Sequence, residues 1–105
     1  MTRSLGAGET LFLKGDPGDA LYALRRGQIR IGTGTEEGKR LTLNILGSGD
    51  VFGEIALLDG EPRTADAVAL ESCELFMIQR RDFLRFLERK PDVAIRIIEL
   101  LCARL

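Results

Sequence analysis

Glycine is spread unevenly along this chain, and its distribution divides the sequence in two. From Leu5 to about Ile78 the chain is Gly-rich and broken by turn chemistry every ~8–12 residues, whereas residues 80–105 contain no Gly. The stretches between the breaks are short and rich in β-branched or aromatic residues, which predicts strands over 10–13, 20–24, 28–32, 41–46, 67–68 and 75–78. The separators are Lys14-Gly15-Asp16-Pro17-Gly18-Asp19, Arg26-Gly27, Glu36-Glu37-Gly38-Lys39, Gly47-Ser48-Gly49-Asp50 and Asp59-Gly60-Glu61-Pro62. Many short antiparallel strands at this spacing predict a mainly β fold, a jelly-roll barrel (double-stranded β-helix) that curls to protect its own edges. The Gly-free tail reads as helix: Phe83, Phe86 and Leu87 stand at i, i+3, i+4 behind Asp82. Pro91 suits the first position of a second helix that carries Val93, Ile97, Leu100 and Leu101. The expectation is one domain over 1–105, an antiparallel barrel at about 5–79 followed by two α-helices at about 80–105.

Composition removes several classes of function. With 15 Lys+Arg against 16 Asp+Glu and a formal charge of −1, no general electrostatic pull toward nucleic acid is expected. The charge divides along the chain, net −4 over residues 1–79 and net +3 over 80–105, and the basic tail reads as a solvated helix face. The chain has no His, so Ser/His/Asp triads and His-rich metal centres are excluded. Cys73 and Cys102 are too few for a four-Cys site and are not spaced as a redox pair, so both read as reduced thiols. No stretch approaches a membrane span or a signal-peptide apolar region, and a cytoplasmic location without membrane association is expected.

The informative stretch runs from Phe52 to Ala65, where period-2 alternation fails. Gly53 permits close approach of a ligand to the backbone, and residues 54–58 suit one helical turn whose free N–H groups, at Glu54, Ile55 and Ala56, point the same way. The dipole of such a turn contributes only about 0.3–1 kcal/mol at an exposed position. Micromolar binding needs about 8 kcal/mol, so a second charge is required. Arg63 supplies it as a planar fork of donors suited to phosphate, and Thr64 adds a hydroxyl. Glu54 has the wrong sign for a phosphate and the right chemistry to accept from ribose-type hydroxyls. Together these describe a nucleotide site better than a site for a free anion.

These residues resemble those of the cyclic nucleotide-binding domains, most closely the sensor domains of catabolite-activator-type (Crp/Fnr) bacterial transcription regulators. The family's phosphate-binding cassette reads apolar-Gly-Glu-x-small-apolar, a spacer, then Arg-[Ser/Thr/Ala]-Ala-x-apolar. Phe52-Gly53-Glu54-Ile55-Ala56-Leu57 and Arg63-Thr64-Ala65-Asp66-Ala67 satisfy each position. A second signature, an apolar strand and Gly turn followed by an apolar run and another Gly, matches 11–27, with Ala23 smaller than usual. The resemblance implies that Glu54 accepts the ribose 2′-OH, that Arg63 pairs with the cyclic phosphate, and that Thr64 touches the phosphate or the base edge. It implies further that backbone N–H groups near Ile55 and Ala56, with Gly53, Phe52 and Ala65 around them, complete the cradle. Leu43, Leu46 and Val51 would line the apolar side of the nucleotide, and Leu57 would link the cassette to the helices through Phe83 or Phe86. The implied ligand is cAMP or cGMP, with no other cofactor.

Tyr22 reads as a strand residue with its hydroxyl in water, and Phe83 and Phe86 read as core. The row Ile98, Leu101, Leu105 reads either as plain core or as a docking or dimer face, by which the chain would form a homodimer or attach to an effector domain. Two other functions remain: an interaction module that keeps the sensor fold without using a nucleotide, and a metal-dependent jelly-roll enzyme, which the absence of His opposes.

Overall fold

The computed structural model describes residues 1–34, 40–53, 57 and 60–103. Eight strands form two four-stranded antiparallel sheets: β1 (Thr2–Leu5), β2 (Thr10–Phe12), β3 (Ala20–Arg26), β4 (Ile29–Gly34), β5 (Arg40–Leu46), β6 (Val51–Phe52), β7 (Asp66–Ala69) and β8 (Cys73–Gln79). The first sheet has the order β1-β8-β3-β6 and the second β2-β7-β4-β5. Helices α1 (Arg80–Arg89) and α2 (Pro91–Ala103) follow. The fold is thus mainly β with two C-terminal helices, as the glycine distribution predicts.

Alternation explains which faces meet. On β3, Ala20, Tyr22 and Leu24 are buried while Leu21 and Ala23 are only partly covered. The core joins Leu5, Tyr22, Leu24, Phe52, Cys73 and Leu75 of the first sheet to Leu11, Ile29, Ala67 and Ala69 of the second. Cys73 is a buried free thiol, and Cys102 is free and exposed. Tyr22 departs from the sequence reading: the residue is buried, and its ring stacks on Phe52 with centroids 5.5 Å apart. Register decides this, because Tyr22 pairs with Phe52 and Met77 and so shares the inward face.

Strands β1 and β6 were not legible. In β1 only Leu5 points inward, so a sheet-edge strand of this kind shows no alternation, and the barrel begins at Thr2 rather than near residue 5. Strand β6 is two residues long.

Strand β5 carries a bulge at Leu43, one of the residues predicted for the apolar side of the nucleotide. Ile31 faces Asn44 and Gly32 faces Thr42, which leaves Leu43 out of register. A Cβ at Gly32 would stand 2.6 Å from the Leu41 carbonyl oxygen, so the bulge requires Gly there. Gly32→Ala is expected to lower stability by about 1–2 kcal/mol through this backbone clash, read as a shift in the urea midpoint at unchanged m-value. An unshifted midpoint would show that β5 yields freely.

Pro91 opens α2 as predicted, and Lys90 N–H closes α1 onto the Phe86 carbonyl. Phe83 is buried in the first turn of α1, but Phe86, one turn further on, is exposed rather than core. On α2, Val93 and Ile97 are partly buried, while Leu100, read as part of the same stripe, is exposed along with Ile95 and Ile98. Leu105 lies outside the described residues, as does the side chain of Leu101. No helix among the described residues is long and apolar enough to cross a membrane.

Candidate functional site

Arg63 is the centre of the site, and its backbone is strapped in place before its side chain is considered. Its N–H donates to the Asp16 carbonyl at 2.8 Å, and its own carbonyl accepts from Gly15 N–H at 2.8 Å. The turn on the other side of this strap is self-supporting: Asp16 Oδ2 accepts from Leu13 N–H at 2.9 Å. Asp66 Oδ1 accepts from Lys14 N–H at 2.7 Å. The Gly turn of one sequence signature therefore holds the arginine of the other.

The side chain then turns inward. Arg63 is not a solvated surface charge: the residue is only 5% exposed. Nη1 donates to the Gly53 carbonyl at 3.1 Å and Nη2 to the Ala20 carbonyl at 2.7 Å. The guanidinium carbon lies 4.3 Å from the centre of the Phe12 ring and 5.7 Å from that of Tyr22. Phe12, Tyr22 and Phe52 form a cluster, with neighbouring centroids 5.5–6.4 Å apart. A desolvated cation over such a face gains up to about 2 kcal/mol.

Close approach at Gly53 completes the nest. Its φ is +86°, and an added Cβ would stand 2.7 Å from Arg63 Nη1 and 3.1 Å from the Ala20 carbonyl oxygen. Arg63 Nε is buried with no hydrogen-bond partner among the described residues. An unpaired buried donor costs about 1–3 kcal/mol, and more when charged. The site thus holds a fixed cation with donor capacity to spare, the chemistry of an anion receptor.

The other predicted residues are placed as follows. Glu54, Ile55 and Ala56 lie outside the described residues. Leu57 is fully buried, and its N–H donates to the Gly53 carbonyl at 3.3 Å. Thr64 is exposed and Ala65 buried. Leu46 packs against the core, and Leu43 is more than half exposed at the β5 bulge. Val51 is not brought to their side: its pairing with Ala23 puts it on the face of the first sheet opposite Phe52. The sequence reading also missed Phe12, Tyr22 and the Ala20 carbonyl as the surroundings of Arg63. A backbone carbonyl leaves no trace in residue identity, though the aromatic at position 12 lay within the quoted signature. Among the described residues no group of three His, Cys, Asp or Glu stands together to hold a metal ion.

A model of the cyclic nucleotide-binding domain matches residues 2–90. The chain belongs to that family. Among its relatives within that family are transcription regulators of the Crp/Fnr type. It is 42% identical over 98 residues to the cyclic AMP receptor protein of Thermus thermophilus, covering 93% of this chain and 45% of that protein. It is 31% identical over 98 residues to a CRP-like cAMP-activated global transcriptional regulator of Mycobacterium tuberculosis, covering 93% of this chain and 44% of that one. The crystal structure of the Thermus thermophilus catabolite activator protein superimposes with a TM-score of 0.90 at 39% identity, over 99% of this chain and 49% of the other. The chain spans about half the length of these relatives.

Proposed function

We propose that this cyclic nucleotide-binding domain is a sensor for cAMP, with the cyclic phosphate captured by Arg63 and the cassette of residues 52–65. The carrying observation is the buried guanidinium of Arg63, with Nε unpartnered among the described residues beside Gly53. Phosphate oxygens would supply the missing acceptors, and Glu54 would take the ribose 2′-OH. Thr64, exposed beside Arg63, would add a hydroxyl, and Leu43 and Leu46 would face the apolar side of the nucleotide. The names of the 42% and 31% identical relatives favour cAMP, with cGMP as the comparison ligand.

Binding is read out by the C-terminal helices, Leu57 acting as the apolar link to Phe83 of α1, and the output served is regulation of transcription, a reading supported by the name of the 31% identical regulator of Mycobacterium tuberculosis. The domain binds its ligand without transforming it and without contacting nucleic acid directly.

Calorimetric titration with cAMP and with cGMP tests the reading. Heat saturating in the micromolar range is expected with cAMP, and no heat from either nucleotide at high micromolar concentration overturns it in favour of an interaction module of the same fold. Glu54→Gln is expected to weaken binding less than Arg63→Ala, because an amide oxygen still accepts from a hydroxyl. The reverse order would invert the assignment of phosphate and ribose.

A further inference from the structure

The hydrogen bonds around Arg63 do not stop at the site. Arg63 Nη1 and Leu57 N–H both donate to the Gly53 carbonyl, at 3.1 and 3.3 Å. The Leu57 carbonyl accepts from Arg80 Nε at 2.7 Å. Arg80 N–H donates to the Asp19 carbonyl at 2.8 Å, and the next carbonyl along, that of Ala20, accepts from Arg63 Nη2 at 2.7 Å. The path closes on itself: Arg63, Gly53, Leu57, Arg80, Asp19, Ala20 and back to Arg63.

We propose that Arg80 is a positioning residue that locks the cassette to the first residue of α1, so that a change in the bonding of Arg63 is felt at the start of the helix and a change at the helix start is felt at Arg63. Two features favour this. Gln79, the residue before α1, makes no side-chain cap, so the hydrogen bonds of Arg80 to the Asp19 and Leu57 carbonyls tie the helix start to the barrel beside its covalent link to β8 and the buried Phe83. The Leu57 backbone is held at both ends by this circuit while its side chain is fully buried, which leaves it little freedom to move apart from Arg63 and Arg80. The proposal deepens the cyclic-nucleotide reading and rests on it for one point, that phosphate is what engages Arg63. The circuit itself belongs to the free protein.

The test measures amide exchange in the free protein for Arg63→Met, Arg80→Met, Arg80→Gln and the Arg63→Met/Arg80→Met double variant, with circular dichroism to establish that each is folded. Arg80→Met should speed exchange at the Leu57 amide, which Arg80 does not touch, by about tenfold, the size of one hydrogen bond from a charged donor. Arg63→Met should speed exchange at the Arg80 amide to a similar degree, although Arg63 does not touch it. The double variant should fall short of the product of the two single effects. Arg80→Gln removes the charge but keeps an N–H donor the same number of bonds from Cα, and should restore most of the protection at Leu57, which a general loss of helix stability would not.

Cross-effects that are absent, or that simply multiply, overturn the proposal. With cAMP added, wild-type protein should change its exchange at the start of α1, while Arg80→Met should bind within about tenfold of wild type and lose that change. If α1 in Arg80→Met responds to cAMP as in wild type, Arg80 is not the link. No heat from either nucleotide with the cross-effects intact overturns the ligand and supports the circuit; heat without cross-effects does the reverse.

Discussion

Arg63→Ala is expected to weaken cyclic-nucleotide binding by roughly 2–5 kcal/mol, the range for truncating one partner of a buried charge pair. The size follows from where the guanidinium lies. It is buried against Phe12 and Tyr22 and oriented by the Gly53 and Ala20 carbonyls, so the desolvation and much of the ordering of the cation are complete before a ligand binds. Arg63→Lys should recover little, because an ammonium lacks the planar fork that reaches two carbonyls from a position over a ring. Calorimetry of both variants, beside a thermal melt, checks this. Near-wild-type affinity in folded Arg63→Ala would place the phosphate elsewhere on the domain.

Gly53→Val should harm both folding and binding. At φ +86° a β-branched residue is strained by about 1–3 kcal/mol before any contact is considered. The added Cβ then meets Arg63 Nη1 at 2.7 Å and the Ala20 carbonyl oxygen at 3.1 Å, so the arginine must leave its place. We expect a loss of about 3 kcal/mol or more in urea denaturation, together with at least tenfold weaker nucleotide binding in whatever remains folded. Gly47→Val, at ordinary φ and in open space, is the control. A Cβ there meets nothing within 4 Å, and the variant should behave as wild type. Equal effects from the two substitutions would mean that the close approach at Gly53 is not what makes glycine necessary.

Much of the architecture was legible because it rests on local chemistry. Turn residues mark where strands must end, period-2 burial marks β3 and β7, and Pro91 marks the start of α2 because its missing N–H costs nothing there. Strands β1 and β6 were missed, since an edge strand with one buried residue and a strand of two residues show no period. Phe86 and Leu100 were misread for a different reason. Helical spacing identifies a shared stripe but not how much of it a neighbour covers: Leu87, one residue past Phe86, is partly buried, so Phe86 lies to the side of the covered face, and Leu100 lies beyond the partly buried Ile97.

The site divides in the same way. Residue types and spacing were enough to single out Gly53 and Arg63, because a phosphate needs a fork of donors and a backbone that can come close, while the family, and the place of the Gly15 turn in it, came from the resemblance of two signatures. Spacing could not say where the arginine rests when its charge is turned inward. That depends on the Ala20 and Gly53 carbonyls and on the face of Phe12, which reach Arg63 across 43, 10 and 51 positions of chain. Nor could it join Arg80 to Leu57 across 23. Glycine placement and apolar period are local properties and survive in one dimension. The direction of a guanidinium is set by acceptors that only the packing of two sheets brings within 3 Å or so of it, and most of those acceptors are backbone atoms that every residue carries.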